Sequence, residues 1–305
     1  MAFKGRDVIS IRDFSKSEIL QIISLAKELE KKPSPELMKG KIMASLFFEP
    51  STRTRLSFSS AMERLGGKVL GFETKEFTSV SKGETLWDTI KMVSQYADVI
   101  VMRHSIEGAA RLASEASSIP IINAGDGANQ HPTQTILDMY TIEKELGKLE
   151  GLKIGFVGDL KYGRTVHSLC MAMSHFKPKM YFIAPEALKM PKPYLDDLSE
   201  KGIEYVEEAD LMKFCGELDI MYMTRIQKER FPDPVEYNKL KGVYRIDKSI
   251  TQKMKKGARI LHPLPRIDEI SIDVDDTENA AYFRQAANGV PVRQAILALV
   301  TGALK

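Results

Sequence analysis

The sequence predicts an α/β protein with two doubly wound parallel-sheet domains. Short apolar runs alternate with stretches of helical periodicity, this alternation restarts after Gly147–Gly151, and a length of 305 residues suits two domains at about 100–200 residues each. Ligands of such sheets tend to bind outside the carboxyl ends of the strands. We therefore expect the active site in the cleft between the two domains.

The first half of the chain shows repeated strand–helix units. Ser15 and Glu18 form a capping-box pattern ahead of an amphipathic helix that continues to Leu29. The apolar run Ile42–Phe48 is then typical of a buried strand. The alternation predicts further strands at Lys68–Phe72, Asp98–Met102 and Pro120–Asn123, and helices at Thr52–Leu65, Leu86–Ala97, Ile106–Ser117 and Pro132–Leu146.

The second half repeats the same pattern. A strand is predicted at Leu152–Val157, followed by a helix after Tyr162. No Pro/Gly/Ser linker separates the halves, so we expect closely joined domains. Further strands are predicted at Lys179–Ile183, Ile203–Val206, Asp219–Met223 and Arg259–Leu261, and one or two helices at Tyr282–Lys305.

Composition and charge exclude several classes of protein. Hydrophobic residues make up 43% of the chain, which is too many for a disordered protein. A net charge of +3 does not predict a nucleic-acid-binding surface. Two cysteines without a C-x-x-C pair predict neither a disulfide framework nor a structural zinc site. Without a leader-like N-terminus or an apolar stretch of about 18 residues, we expect a cytoplasmic protein that does not enter a membrane.

The segment Ser51-Thr52-Arg53-Thr54-Arg55 lies between a predicted strand and a predicted helix. Backbone N–H groups and the helix dipole favour an anion at such a position, and hydroxyl and guanidinium groups suit phosphate. Cations in a first helical turn oppose the dipole, which favours an anion site over an N-cap with solvated arginines. We interpret this segment as a phosphate site.

Two other loops carry candidate residues. His131 and Gln134 lie three residues apart at a predicted helix start, where an imidazole could donate to a carbonyl oxygen and an amide could orient a substrate. A cap or core histidine is an equal alternative. Lys82, beside Gly83 in a polar loop, could reach an anion, although a solvated lysine is the simpler interpretation when this loop is judged alone.

The segment Gly158–Thr165 follows an apolar strand and nearly matches the P-loop pattern, with Arg164 in place of the lysine. A P-loop NTPase is therefore an alternative. Arginine cannot reproduce the compact contact of the P-loop lysine. The acid of the later strand, Asp219, stands at its start, whereas a Walker B carboxylate stands at the end. Both observations disfavour the NTPase.

Two loops near the end of the chain follow predicted strands. Arg225 and Gln227 point the same way in an extended segment. In His262–Arg266, prolines on both sides of Leu264 remove N–H donors and leave carbonyl groups to accept hydrogen bonds. Turn stiffness alone would also explain these prolines.

Seven motifs together resemble the transcarbamoylase family, from about Gly5 to Leu304; they are S-T-R-T-R, S-K-G-E-T, V-M-R-H, H-P-T-Q, G-D-L-K-Y-G-R-T, R-I-Q-K-E-R and H-P-L-P, in this order. The resemblance implies transfer of a carbamoyl group from carbamoyl phosphate to L-aspartate in pyrimidine biosynthesis, without a metal or an organic cofactor. It implies homotrimers with shared active sites, to which zinc-binding regulatory chains can be joined. It also implies a carbamoyl phosphate domain at residues 1–147, completed by a helix at 288–305, and an aspartate domain at 148–287.

The resemblance further implies a role for individual residues. The phosphate would be held by Ser51, Thr52, Arg53, Thr54 and Arg103, with Ser79 and Lys82 reaching it from a neighbouring subunit. The carbonyl oxygen would meet Thr54, Arg103 and His131, and the carbamoyl NH2 would meet Gln134 and the main chain near Leu264 and Pro265. Arg164 and Thr165 would bind the aspartate α-carboxylate, and Arg225, Gln227 and Lys82 the β-carboxylate.

Three alternatives to this activity stay open at this point. The sibling ornithine enzyme would need an acidic pocket for its cationic substrate, and it typically has cysteine where Leu264 stands here. Arg225 and Gln227 instead favour a carboxylate. The other two are an inactive structural partner in a carbamoylating complex and a nucleotide-binding switch that uses Gly158–Thr165.

Overall fold

The computed structural model describes residues 3–74, 79–226 and 240–304 and divides the chain into two compact units. Unit 1 consists of Met1–Leu137 with Asn288–Lys305, and unit 2 consists of Asp138–Ala287. Each unit has one parallel sheet with helices between its strands, which confirms the predicted α/β class.

The elements follow one another in a strand–helix alternation along the chain. The strands are β1 Ile42–Phe47, β2 Lys68–Phe72, β3 Val99–His104, β4 Ile121–Asp126, β5 Lys153–Val157, β6 Lys179–Ile183, β7 Tyr205–Glu208, β8 Ile220–Met223 and β9 Arg259–Leu261. The helices are α1 Lys16–Lys31, α2 Thr52–Arg64, α3 Leu86–Val93, α4 Ala109–Ala116, α5 Pro132–Leu146, α6 Arg164–Met173, α7 Lys192–Glu200, α8 Lys248–Thr251 and α9 Tyr282–Val300.

The sheet of unit 1 has the strand order β2-β1-β3-β4, with every pair parallel. Its central strands are mostly apolar because both faces are covered, as the buried run from Met43 to Phe47 shows. Helix α4 contributes a face of small side chains, including Ala110 and Ala113, that packs on the same core as Ile100. The chain leaves β1 toward one edge and β3 toward the other, so the sheet has its topological switch point between β1 and β3.

The sheet of unit 2 has the order β7-β6-β5-β8-β9 and is also entirely parallel. Its core joins residues of the central strands, such as Val157 and Met221, with Tyr282 at the start of α9. Strands β6 and β7 lie on one side of β5, and β8 and β9 lie on the other. The switch point of this sheet is therefore between β5 and β8.

One helix begins as the sequence predicts, and two others differ from the prediction at one end. Ser15 is the N-cap of α1, and its capping box with Glu18 is present, with the Ser15 N–H donating to Glu18 Oε2 at 2.8 Å. Helix α4 begins later than predicted, because Gly108 adopts a φ of 79° just before it. Helix α3 ends at Val93, four residues earlier than predicted.

Two helices were not predicted, α7 and the short α8 at Lys248–Thr251, and one open question about the chain end is resolved. Helix α7 at Lys192–Glu200 buries only Leu195 and Leu198, so its sequence carries a weak helical pattern. The predicted one or two terminal helices form a single helix, α9, with Pro291 inside it. No helix among the described residues is both long enough and apolar enough to cross a membrane.

Candidate active site

The predicted phosphate segment lies at the switch point of unit 1. Ser51 is the N-cap of α2, and Thr52, Arg53 and Thr54 form its first turn. In the described structure the Ser51 side chain makes no capping hydrogen bond, so it does not occupy the N–H groups of that turn. Thr54 is buried and Arg53 is exposed. This turn can therefore receive an anion from the solvent side.

Arg103 stands at the end of β3, directly opposite Phe47 of β1. Its Nη2 donates to Glu49 Oε1 at 2.9 Å and its Nη1 to the carbonyl of Ala124 at 3.3 Å. The Nε of Arg103 is buried and has no hydrogen-bond partner among the described residues. The guanidinium is thus held by one carboxylate and one carbonyl at the same sheet edge as the α2 turn.

The loop between β4 and α5 is organised by one buried carboxylate. Asp126 accepts hydrogen bonds from the N–H groups of Gly108 and Gln130 and from the side-chain amides of Asn123 and Asn129, at 2.9–3.1 Å. The loop leads into His131, immediately before α5, which is 4% exposed. Such a fully bonded loop fixes the direction in which α5 starts.

The carboxyl ends of β1, β3 and β4 lie along one edge of the unit 1 sheet because these strands are parallel neighbours. The predicted residues of unit 1 that lie at or after these ends are Ser51, Thr52, Arg53, Thr54, Arg103, His131 and Gln134. Ser79 and Lys82 instead stand on a short 3₁₀ turn, and both are exposed. Among the described residues, neither Ser79 nor Lys82 makes a hydrogen bond or an ion pair with another member of the set.

The switch point of unit 2 carries the second predicted set. Arg164 and Thr165 form the first turn of α6, with Gly163 as its N-cap. At Gly158, a Cβ atom would lie 2.4 Å from the carbonyl oxygen of Thr224, so only glycine allows the close approach of the two strand ends. Thr224 Oγ1 accepts from the Asp159 N–H at 3.0 Å and ties these ends together.

Arg225 lies two residues after the end of β8 and is half-buried, while Gln227 lies outside the described residues. The neighbouring strand β9 leads into the loop with Leu264 and Pro265. The bond between these two residues is cis, and Leu264 has a φ of 55°. Unit 2 therefore brings Arg164, Arg225 and the Leu264 loop to one sheet edge.

Behind this edge lies a polar network that sequence reasoning missed. The buried Asp138 accepts from the Tyr222 hydroxyl at 2.8 Å and from Gln285 Nε2 at 2.6 Å. Tyr222 also shares a hydrogen bond with the Thr165 side chain, and Gln285 Oε1 accepts from the His262 N–H at 2.8 Å. The available signal was an acid inside the otherwise apolar stretch around Asp138.

Two buried histidines support loops of unit 2. Burial lowers the pKa of His262, although its hydrogen bond to Glu269 at 2.8 Å opposes that shift. Burial also lowers the pKa of His167, to about 4, against a hydrogen bond to the carbonyl of Leu160. Both imidazoles are therefore neutral near pH 7.

The two sheet edges offer cations, hydroxyls and amides, which are groups that bind anions and carbonyl oxygens. Among the described residues, no group of three or more His, Cys, Asp or Glu side chains is placed to hold a metal ion. The cations, hydroxyls and amides themselves can bind and orient ligands and stabilise negative charge.

Two known family domains match the two halves of the chain separately. Residues 6–144 match the carbamoyl-P binding domain of aspartate/ornithine carbamoyltransferases, and residues 150–300 match the Asp/Orn binding domain. This chain belongs to the aspartate/ornithine carbamoyltransferase family. Membership in this family accounts for Gly158–Thr165 without a P-loop, because the segment lies within the Asp/Orn binding domain.

Curated members of the carbamoyltransferase family align with the whole chain. The aspartate carbamoyltransferase catalytic subunit of Thermococcus onnurineus is 57% identical over 309 residues, covering 100% of both chains. The corresponding subunit of Methanocaldococcus jannaschii is 54% identical over 297 residues, covering 96% of each.

Solved structures of the family share the fold. The catalytic subunit of aspartate transcarbamoylase from M. jannaschii has a TM-score of 0.89 at 54% identity, covering 96% of this chain and 97% of that one. Aspartate transcarbamoylase from Trypanosoma cruzi, in complex with carbamoyl phosphate and aspartate, has a TM-score of 0.94 at 41% identity, covering 98% of both chains.

Proposed function

We propose that this protein is an aspartate carbamoyltransferase that converts carbamoyl phosphate and L-aspartate to N-carbamoyl-L-aspartate and phosphate in de novo pyrimidine biosynthesis. One observation carries the proposal: each unit opens a helix at the switch point of its sheet with arginine beside threonine, Arg53 in α2 and Arg164 in α6. Two such turns suit two anionic substrates. The T. cruzi relative, crystallised with carbamoyl phosphate and aspartate, supports the same pair of ligands.

Unit 1 would bind carbamoyl phosphate. The α2 turn and Arg103 would hold the phosphate, because backbone N–H groups, hydroxyls and a guanidinium match its oxygens. Glu49 holds Arg103 in the described structure and would compete with the phosphate for it. Thr54, Arg103 and His131 would donate to the carbonyl oxygen, and Gln134 with the main chain at Leu264 and Pro265 would accept from the carbamoyl NH2.

Unit 2 would bind L-aspartate. Arg164 and Thr165 would take the α-carboxylate at the start of α6, where the helix dipole adds to the charge of the guanidinium. Arg225, with Gln227 and Lys82, would take the β-carboxylate. In domain terms, we propose that residues 1–147 with the helix at 288–305 form the carbamoyl phosphate domain and that 148–287 form the aspartate domain.

The reaction needs no nucleophilic side chain. The aspartate amine attacks the carbamoyl carbon, a C–N bond forms, and the carbonyl oxygen becomes an oxyanion that His131, Thr54 and Arg103 stabilise as donors. The C–O bond to phosphate then breaks, and the departing phosphate accepts the proton that the amine loses. Catalysis would therefore consist of positioning and charge stabilisation.

The first experiment is a carbamoyl transfer assay with purified protein that compares aspartate with ornithine. We expect product with aspartate and none above background with ornithine, because a cationic side chain would meet Arg225. Transfer to ornithine instead would overturn the substrate assignment, and no transfer to either would favour the inactive-partner alternative. Nucleotide binding in phosphate-free buffer would support the switch alternative.

We also propose a cytoplasmic homotrimer with shared active sites, in which Ser79 and Lys82 serve a neighbouring subunit. Both residues are exposed on their turn, and unit 1 exposes large apolar side chains near them in sequence, including Trp87, Met92 and Tyr96. A cyclic trimer repeats one heterologous contact, so every site would borrow from the same neighbour. Zinc-binding regulatory chains can join such trimers, and a native mass of purified complexes tests both assemblies.

The shared site is tested by mixing two inactive variants, Lys82→Ala and His131→Ala, through dissociation and reassembly. Hybrid trimers would contain some sites without either lesion, so a fraction of wild-type activity should return. Hybrids verified by mass that stay as inactive as their parents would show that Lys82 serves its own chain.

A further inference from the structure

The loop from His262 to Glu269 is folded around two of its own side chains. His262 and Glu269 are almost fully buried, with side-chain exposures of 1% and 6%, and their side chains are joined by a contact of 2.8 Å between Nε2 and Oε1. Neither residue carries a role in the binding scheme given above. The contact between them joins the two ends of the loop.

His262 holds the middle of the loop. Its Nδ1 accepts the Leu264 N–H at 2.8 Å, so the proton of the neutral imidazole stands on Nε2 and is donated to Glu269. Leu264 has a φ of 55°, in the left-handed region that a leucine rarely adopts. The bond from His262 therefore stabilises a backbone conformation that is unfavourable by itself.

Glu269 holds the other end of the loop. Its Oε2 accepts from the N–H groups of Ile267 and Asp268 at 3.1 and 3.2 Å, while Oε1 accepts from His262. These bonds lower the pKa of the carboxyl group despite its burial, which alone would raise it. Glu269 is thus a bonded carboxylate that fixes the imidazole and the far side of the loop together.

The centre of this loop presents acceptors without donors. Pro263 and Pro265 have no N–H, and the Leu264 N–H is already bound to His262. Within the described part of the chain, no hydrogen bond is made to the carbonyl oxygens of Pro263, Leu264 or Pro265. Leu264 is half-buried and Pro265 exposed, so these oxygens can meet a ligand.

We propose that His262 and Glu269 form a positioning pair that aims the carbonyl groups around Leu264 and thereby makes the site select an acyl phosphate that carries an NH2 group over one that carries a methyl group. The inference rests on the proposed function, in which this loop meets the carbamoyl NH2. A site built to accept hydrogen bonds discriminates strongly against an analogue that cannot donate them, because its acceptors are then left unpaired. The direction of these carbonyl groups matters, because a hydrogen bond weakens steeply as its donor–hydrogen–acceptor angle departs from linear.

Acetyl phosphate is the matched probe. It has the phosphate and the carbonyl of carbamoyl phosphate but a methyl group in place of the NH2. Inhibition by acetyl phosphate therefore reports the part of the site that holds phosphate and carbonyl, and the ratio of its inhibition constant to the KM of carbamoyl phosphate reports recognition of the NH2 group.

Two substitutions separate the two bonds of His262. In His262→Asn, the side-chain oxygen can take the place of Nδ1 and accept from Leu264 two residues on, as in an Asx turn, but the side chain is too short for Glu269. In His262→Gln, the longer amide can donate to Glu269 but does not hold Leu264. The first variant keeps the aim of the loop, and the second keeps the buried carboxylate paired.

We expect the two variants to rank in opposite order for the selectivity ratio and for Tm. His262→Gln should lower the selectivity ratio about tenfold or more, mainly through a higher KM for carbamoyl phosphate with acetyl phosphate inhibition nearly unchanged. His262→Asn should keep most of the ratio but should have the lower Tm, because it leaves Glu269 buried without its donor. Selectivity that falls equally in both variants, or that falls in step with Tm, would overturn the proposal. Absence of transfer in the wild-type protein would refute the proposed function instead.

Discussion

The hydroxyl of Tyr222 donates to Oδ2 of Asp138 at 2.8 Å, and both side chains are completely buried in unit 2. The pair joins strand β8 to helix α5, across 84 residues of sequence. Tyr222 also shares a hydrogen bond with Thr165, a proposed ligand of the aspartate α-carboxylate. The buried Asp138 therefore supports, through Tyr222, a residue that is proposed to bind aspartate.

Tyr222→Phe should destabilise the protein by about 1–3 kcal/mol, because the ring still packs but Asp138 loses a buried donor. It should also raise the KM for aspartate, since Thr165 loses its partner. Urea unfolding and steady-state kinetics measure the two effects. Tyr205→Phe is the control, because the Tyr205 hydroxyl makes only a 3.4 Å contact with Ser199 at the sheet edge. Equal losses in the two variants would contradict this role of Tyr222.

Arg53→Ala should reduce kcat/KM close to background while leaving the fold intact, because Arg53 is exposed in the first turn of α2 and would contact the phosphate. The matched control is Arg55→Ala, since Arg55 stands two residues further along the same helix but pairs with Glu73 at 2.8 Å. We expect the control to keep most of the activity. Comparable kcat/KM values for Arg53→Ala and wild type would remove Arg53 from the site.

His131→Ala should lower kcat by on the order of 10²–10³ if the imidazole donates to the oxyanion. The buried position of His131 at the start of α5 favours a fixed donor over a mobile one. His175→Ala, a change at an exposed histidine of unit 2, serves as the control. An effect of His131→Ala confined to the KM for aspartate would place His131 elsewhere in the reaction.

Arg225→Ala should weaken aspartate far more than carbamoyl phosphate, because one carboxylate loses its charge-assisted partner. The KM for carbamoyl phosphate, measured on the same preparation, is the internal control. Equal increases for both substrates would refute the assignment of Arg225 to the aspartate side.

The stability of the protein should depend on pH through His167. Burial holds its pKa at about 4, so between pH 6.5 and 4 the unfolded chain binds a proton that the folded chain does not. The contribution of His167 is complete above pH 6.5 and declines as the pH falls, by up to about 3 kcal/mol. Urea unfolding at several pH values should show a flatter profile for His167→Gln, which can still donate to Leu160 but does not titrate. Identical slopes would contradict the prediction.

The sequence revealed the elements whose burial pattern is simple. Strand β1 was predictable because a parallel strand covered on both faces is a continuous apolar run. Strand β7 was predicted two residues too close to the N-terminus, at Ile203–Val206 and not at Tyr205–Glu208. The apolar pattern is weak there because this edge strand is only half-buried. Helix α7 was not predicted, because two buried leucines in nine residues do not give a recognisable helical periodicity.

The residues of the candidate site also fall into two groups, those that a local sequence pattern indicates and those that it does not. Arg103 lies at the end of a strand and Arg225 lies just after one, and parallel strands bring their carboxyl ends to one edge, so a local pattern indicates their place. The supports of the site cannot be found locally. Gln285 and Asp138 are bonded at 2.6 Å although 147 residues separate them, and only the fold brings them together.

Unit 1 is closed by the last part of the described chain. The Gly5 N–H donates to the carbonyl of Val300 at 2.8 Å, the Thr301 hydroxyl contacts Met38 Sδ at 3.3 Å, and Arg293 lies 4.9 Å over the ring of Phe58. During translation, all of unit 2 is synthesised before Arg293, Val300 and Thr301. During synthesis, unit 2 is therefore the first to have its complete sequence, and the first-made segment must wait, partly uncovered, for the last-made helix.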